Sequence, residues 1–542
     1  MKKFLNKTTQ LIFAQQGGMF SSAFILATMI VLSRLFGFLR YRILAGYFNK
    51  SQLDIFFASF RIPDLVFEIL ITGAFTSSFI PIFIRYQKNK KDLEENISSI
   101  FNLITIFLFF FILIIFFLLP FIIPLITPGF DSQKIEQIVL FSQMLLIGQL
   151  PFLVFGNFLT GIAQANKTFF ITSIAPVIYN IVVIIITYFF ANQFGLIAPI
   201  IGIIIGAFLF FLIQLPILIN LRFDYLFIIK IGQGVKDFFR IVIPRILTVI
   251  FTQIDATVDL SLATLLGVGS YTIFYFAQHL QLLPVSVIGI AFGQASLPYL
   301  SELYEAKKMD EFKKIIIDSI LNLLFLTIPI MGFFIFARTP LVRLFFGGQK
   351  FDWDATVNTA ITLSYFSLSL PFHSIYYFIT RCFYALHDSK TPFFISVFAI
   401  AVNTLFSLAF ILYFHFPVWS LAISFSISVI LNVLILLLIL NKKLAGINLQ
   451  SFIVETTKIT SIAILSSVIA YLSIKLMDGL IFDTSRTINL FLLLAISGLI
   501  YLSLYLFLAW FLNLKEFYLI GKLLLKMKQY QKKLEEVYSN HE

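Results

Sequence analysis

Long apolar runs, interrupted by short clusters of Lys, Asn, Gly and Pro, divide the chain into fourteen segments. A helix needs about 20 mostly apolar residues to cross a bilayer. The segments fall near 19–47, 54–86, 98–126, 135–163, 169–191, 196–220, 238–265, 270–302, 315–346, 355–386, 391–414, 417–441, 452–477 and 487–514. Several are long enough to predict tilt or extension beyond the bilayer. The expected fold class is therefore an all-α polytopic membrane protein with fourteen transmembrane helices.

Composition supports this. Of 542 residues, 59% are hydrophobic and only 12% charged, whereas a soluble domain carries about 25% charged residues. The mean hydropathy is +0.97. Loop cations set the orientation, because cytoplasmic loops collect Lys and Arg. Lys88, Lys90, Lys91, Lys307, Lys308, Lys313 and Lys314 fall on the side of the N-terminus, whereas the opposite side shows only Lys50, Lys134, Lys350, Lys475 and Arg486. Both termini are expected in the cytoplasm. The net charge of +12 collects in short loops and at the C-terminus, which sets a nucleic-acid partner aside in favour of membrane lipids. From Lys515 onward the tail has the pattern of a basic amphipathic helix on the inner leaflet, with a solvated helix end as the alternative.

The chain also repeats itself. QLPFLVFGNFLTG (149–161) resembles SLPFHSIYYFITR (369–381), NKTFFI (166–171) matches SKTPFFI (389–395), and AFTSSFIP (74–81) matches AFGQASLP (291–298), at offsets of 220, 223 and 217. Six segments separate corresponding elements, so the copies are parallel repeats about an axis along the membrane normal, the plan of an alternating-access transporter. The expected layout is an N-terminus (1–18), two pseudo-symmetric six-helix bundles (19–225 and 226–445), an appended helix pair (446–514) and the basic tail (515–542).

Several function classes lack their signatures. The single Cys382 excludes an intramolecular disulfide or a cysteine metal cluster. The five histidines have no metal-binding spacing, and P-loop, GxGxxG and GxSxG motifs are absent. An embedded glycosyl- or acyltransferase would need a base or nucleophile constellation that the sequence does not offer.

Charges within apolar segments are the candidate chemistry, since they usually face a bundle interior or wet cavity. In SRLFGFLRYRILAGYF (33–48), Arg34 and Arg40 each lie three residues from Gly37. At about 100° per residue they flank that glycine, forming a wedge with a side-chain-free floor. Two guanidiniums there suit the oxygens of a phosphate. Arg42 lies nearer the helix end, where it can snorkel. In the second segment Arg61 precedes Pro63, whose kink frees backbone groups that need a partner. Asp54 and Glu68 are candidates to pair with the arginines. The seventh segment carries Arg245 and two carboxylates, Asp255 and Asp259, four residues apart. So close a pair holds a proton, binds a cation, or is compensated by arginines. His279 in the eighth segment is a packing or a functional histidine.

These stretches, with LDIFFASFRIP, GAFTSSFIPIF, FTQID, YFAQHLQLLPVSVIGIAFGQASLPYLS and LFFGGQKFD, closely resemble the MurJ (MviN) family of bacterial lipid II flippases. That family belongs to the multidrug/oligosaccharidyl-lipid/polysaccharide exporter superfamily. The resemblance implies a multi-pass protein of the bacterial cytoplasmic membrane, not an enzyme. It would move lipid II, an undecaprenyl-pyrophosphate-linked disaccharide-pentapeptide, to the outer leaflet alongside the cell-wall synthesis machinery. It implies that Arg34 and Arg40 line the central cavity and hold the pyrophosphate and sugar, and that the appended pair holds the isoprenoid tail; Gly37, Asp54, Arg61, Arg245 and His279 are this chain's further candidates around the headgroup. It implies no cofactor beyond a coupled monovalent cation, Na+ or H+, at positions that Asp259 and Asn403 match, with Asp255, one turn from Asp259, as this chain's further candidate. The chain departs from well-studied members at Phe67 and Glu68, where they carry an Arg pair, at His279, where they carry Arg, at Tyr41, where they carry Asp, and at Thr72 and Ser407, where an acidic residue is expected. The alternative reading is export of another undecaprenyl-linked glycan, or of drugs, by the same scaffold.

Overall fold

The computed structural model describes residues 19–71, 83, 85–86, 89–166, 168, 170–220, 223–444, 446, 449–484 and 486–518, with the backbone alone over 19–27 and at 241, 243–245, 247–248, 251–252 and 449–451. The expected N-terminus, most of the basic tail, the 74–81 copy of the repeat, Thr72 and the side chain of Arg245 lie outside the described residues. The described chain is helical, with one isolated β-bridge between Asp478 and Phe482. Ten of its helices are long and apolar enough to cross a membrane. The architecture is that of an all-α polytopic membrane protein.

The chain falls into two compact units, residues 1–272 with 345–355, and residues 273–344 with 356–542. The first contains α1 (Met19–Tyr47), α2 (Lys50–Ser59), α3 (Arg61–Leu70), α4 (Lys90–Ile126), α5 (Ser132–Gly148), α6 (Leu150–Ala165), α7 (Phe170–Phe194), α8 (Ile197–Leu212), α9 (Pro216–Asn220) and α10 (Gln233–Leu265). Polar residues punctuate these helices where the sequence places them. Asn49 and Gln52 form a reciprocal capping box that starts α2. Asp131 accepts from the Lys134 N–H at 2.9 Å to start α5.

The break between α2 and α3 follows from Pro63, which has no N–H to give the carbonyl of Ser59. That carbonyl accepts instead from the Ser142 hydroxyl of α5, at 2.9 Å. The backbone group freed by the expected kink is thus satisfied by a neighbouring helix. In α8, Gly202 and Gly206 face α7 so closely that an added Cβ would sit 3.2 Å from the Val183 Cα and 3.0 Å from the Tyr179 carbonyl oxygen. Small residues one turn apart let helix backbones approach where lipid offers no hydrophobic drive. The strap 345–355 also packs into this unit: Phe345 lies 4.8 Å from Phe38 between ring centres, and Lys50 pairs with Asp352 and Asp354 at 3.1 Å each.

The second unit contains α11 (Ser270–Pro284, from Ile273 onward), a π-helical turn (Val285–Ile290), α12 (Ala291–Glu305), α13 (Met309–Phe336), α14 (Arg338–Phe346, up to Leu344), α15 (Trp353–Ala385, from Thr356 onward) and α16 (Lys390–Leu408). It continues through a second π-helical turn (Ala409–Tyr413) to α17 (Trp419–Lys443), α18 (Leu449–Met477) and α19 (Thr487–Phe511). Its core gathers Phe325 of α13, Phe378 of α15, Leu436 of α17, Ile462 of α18 and Tyr505 of α19. Helices α16 and α17 are stitched by serines, with Ser407 donating to Ser424 at 2.9 Å and Ser428 to the Ala399 carbonyl at 2.7 Å.

Candidate functional site

In unit 1 the helical period decides which way the α1 arginines point. Leu35 and Leu39 are exposed, whereas Phe38, Tyr41, Leu44 and Ala45 are buried. Arg40 lies about 120° round the helix from the exposed Leu35–Leu39 stripe, whereas Arg34 is itself exposed, one turn beyond the exposed Ile30. Between them, a Cβ added at Gly37 would meet nothing within 4 Å. The floor of the wedge is open. Arg40 is half-buried and donates to the Tyr179 hydroxyl of α7, with its guanidinium carbon 4.9 Å from the centre of the Tyr41 ring.

Arg61, at the start of α3, reaches across to α10. Its Nε donates to the Thr257 hydroxyl at 3.0 Å, and one Nη donates to both the carbonyl and the side-chain oxygen of Gln253 at 2.6 Å. Gln253 and Thr257 are one turn apart and present a single polar face to the guanidinium. Asp64, one turn along α3, lies within electrostatic reach of Arg61, Glu68 and Arg40, and its side chain remains exposed. Asp255 and Asp259 of α10 are within similar reach of Arg61. The cluster is therefore mixed in charge, with at least two guanidiniums facing several carboxylates. Asp64, Tyr179, Gln253 and Thr257 are additions to the expected set. The position of Asp64 just after Pro63 and the four-residue spacing of Gln253 and Thr257 were the available signals.

Asp54 has other partners than the expected arginines. It is fully buried, and its two oxygens accept from the Gly269 N–H at 2.6 Å, the Thr272 N–H at 2.8 Å and the Thr272 hydroxyl at 2.8 Å. The first turn of α11 carries N–H groups without intrahelical acceptors and the positive end of the helix dipole. A carboxylate supplied by α2 satisfies both.

The other expected residues are placed as follows. Asp259 is 3% exposed and Asn403 of α16 is 2% exposed; they belong to different units. Asn180, the repeat counterpart of Asn403, donates to the Ser33 carbonyl of α1 at 3.4 Å. Ser407, where an acidic residue is expected, joins the serine contact with α17. His279, in unit 2, stacks on Tyr275 at 3.9 Å between ring centres, and its Nδ1 donates to the Tyr275 carbonyl at 2.9 Å. Arg245 lies on α10, with its side chain outside the described residues. Unit 2 also contains an apolar cavity of about 380 Å³ between α13 and α19, lined by Phe325, Pro329, Phe333, Gly498, Tyr501 and Tyr505. The cavity joins α13 to the second helix of the appended pair, 446–514.

Residues 44–491 match the family model described as "Lipid II flippase MurJ". The chain belongs to the MurJ family. Among its relatives is a "Probable lipid II flippase MurJ" of Buchnera aphidicola subsp. Schizaphis graminum, 28% identical over 495 residues, 88% of this chain and 94% of the relative. Another, from Rickettsia prowazekii (strain Madrid E), is 28% identical over 395 residues, 71% of this chain and 77% of the relative. The solved structure "Lipid II flippase MurJ, inward closed conformation" superposes with a TM-score of 0.74 and 25% identity, over 90% of this chain and 100% of that one. A multidrug resistance MATE family transporter of the MOP superfamily, in an inward-facing conformation, shares the fold at a TM-score of 0.66 and 15% identity. The MurJ match takes in Asp54, Arg61, Arg245, Asp255, Asp259, His279 and Asn403. Arg34, Gly37 and Arg40 lie before its first residue and rest on the geometry of α1.

Proposed function

We propose that this chain moves lipid II from the inner to the outer leaflet of the bacterial cytoplasmic membrane by alternating access. The observation that carries the reading is the MurJ match over residues 44–491, supported by likeness to a lipid II flippase along the whole of that protein's chain. The chemistry of unit 1 fits such cargo. A pyrophosphate would enter the wedge of Arg34, Gly37 and Arg40, with Arg61 already held toward α10 by Gln253 and Thr257. Asp64 would keep the guanidiniums apart and oriented when the site is empty. Asp54 would act as a positioning residue, through its hold on α11.

The finer plan is part of the proposal. It comprises fourteen spans in two parallel six-helix bundles and an appended pair, both termini in the cytoplasm, and no cofactor. The apolar cavity of α13 and α19 would receive part of the isoprenoid chain. Asp255, Asp259 and Asn403 are the candidate groups for Na+ or H+ coupling, and the cell-wall synthesis machinery is the expected partner. The test is reconstitution of the purified chain in vesicles with fluorescent lipid II. Protein-dependent exposure of the label in the opposite leaflet is expected, rising with an imposed membrane potential or ion gradient if transport is coupled. Leaflet exchange equal to protein-free vesicles would overturn the reading. Exchange of other undecaprenyl-linked glycans at the same rate would replace lipid II by the wider class.

A further inference from the structure

Residues 223–232, between α9 and α10, form no helix, yet side chains of α4 hold their backbone in place. Glu94 accepts from the Asp224 N–H at 2.9 Å, Ser98 from the Leu226 N–H at 3.0 Å and Ser99 from the Lys230 N–H at 3.0 Å. Asn102 donates to the carbonyls of Leu226 at 3.1 Å and Ile228 at 2.8 Å, and accepts from the Tyr225 hydroxyl. Both ends are charged and anchored low on α4, Asp224 to Lys90 at 2.9 Å and Lys230 to Glu95 at 2.6 Å.

Glu94 and Glu95 lie about 10–12 Å below Asn102 along the helix axis. The segment therefore climbs α4 from a charged foot, turns at Phe227 beside Asn102, and descends. The turn is apolar. Phe227 is 90% exposed, more than any other large apolar side chain among the described residues, and Tyr225 and Ile229 beside it are exposed as well. Continuing up α4, the exposed apolar surface of the span begins at Ile106 and Phe107, about 6 Å beyond Asn102. The headgroup layer on each side of a bilayer is about 5–8 Å deep. The apex thus sits within that layer, continuous with the lipid-facing surface of α4.

We propose that residues 224–231 form a membrane-dipping wedge whose occupant is interfacial lipid. Phe227, with Tyr225 and Ile229, enters the boundary between headgroups and acyl chains, while Asp224 and Lys230 stay at the aqueous edge. Lys90, Lys91, Lys230 and Lys236 around the foot suit anionic headgroups. The polar grip of α4 makes the wedge rigid, so it fixes the depth at which α4 and the start of α10 meet the membrane surface.

Cys382 is buried, so Phe227→Cys supplies the one reactive thiol of the full chain. The variant is spin-labelled and placed in vesicles of phosphatidylethanolamine and phosphatidylglycerol. Collision rates with oxygen, which partitions into the bilayer, are compared with those of a water-soluble nickel chelate. At Phe227→Cys the oxygen-to-chelate ratio should be several-fold that of Asp310→Cys, an exposed position at the start of α13 and outside the apolar segments. Ile229→Cys should behave likewise and stands in if the first variant misfolds. A ratio equal to that of Asp310→Cys places the turn in water and overturns the proposal. Exclusion of both probes, as when another protein copy covers the turn, overturns it equally.

Discussion

The polar cluster of unit 1 and the apolar cavity of unit 2 are organised by opposite means. Around Arg40 and Arg61, polar groups meet across helices: Arg61 is held by Gln253 and Thr257, while the exposed Asp64 lies within electrostatic reach of both arginines. Between α13 and α19 the walls are rings and aliphatic chains, with the Tyr505 hydroxyl tied to the Phe325 carbonyl at 2.9 Å. Charges in a low-dielectric interior need fixed partners, because an orphaned one is costly. An apolar wall needs only shape, and adapts to a chain of repeating units. The difference suits one region to a headgroup of definite geometry and the other to a long hydrocarbon.

The largest effect should come from removing a polar partner deep in unit 1. Asp54→Ala leaves the Gly269 and Thr272 donors without their acceptor, at about 1–3 kcal/mol for each orphaned group. Thermal unfolding in detergent should show a drop of many degrees; an unchanged Tm would mean that water replaces the carboxylate and that the polar region tolerates loss as easily as the apolar one. Next, Arg40→Ala or Arg61→Ala should lower lipid II transport by about 10–100-fold, the worth of one charge-assisted hydrogen bond. Complementation of a flippase-depleted bacterium measures this, and full activity of both would remove the pyrophosphate role. In unit 2, Gly498→Trp should fill the cavity. Transport of the long-chain lipid should fall about tenfold, the cost of about 1.4 kcal/mol, with short-chain analogues little changed. Equal loss for both chain lengths would argue against a tail site.

The smallest effect lies outside the membrane, where water competes with every polar contact. Burial works to raise the Asp388 carboxyl, but the Lys443 ammonium and the hydroxyl and N–H of Thr391 outweigh it and hold it at about 2. An unfolded aspartate titrates near 3.9, so the native state binds fewer protons in between and stability rises with pH there. The contribution is complete above about pH 4 and lost toward pH 2. Lys443→Ala should therefore lower Tm slightly at pH 6 and not at pH 2, checked by melts at both.

Much of this was legible in the sequence. The apolar runs predicted helices, and helix starts follow residues such as Asn49, Asn89 and Asp131 whose side chains cap them. The relative directions of Arg34, Gly37 and Arg40 were legible because they share one helix, where spacing alone sets direction. Asp54 was not legible in the same way. Its partners Gly269 and Thr272 lie more than two hundred residues away, and a carboxylate near arginines in sequence need not meet them in space. The same holds for Asp64, which gains its meaning only when α3 is folded beside α1 and α10.

What the sequence determined by itself is local and periodic: long apolar helices, their punctuation, and the faces on which charges stand. A helix satisfies its own backbone hydrogen bonds, so in lipid its existence needs no distant partner. What only the tertiary structure decided is which polar groups answer one another: Ser142 for the carbonyl freed by Pro63, Asp54 for the start of α11, and Gln253 with Thr257 for Arg61. Those pairings depend on helix packing, which brings together residues whose chemistry is complementary but whose positions in the chain carry no sign of it.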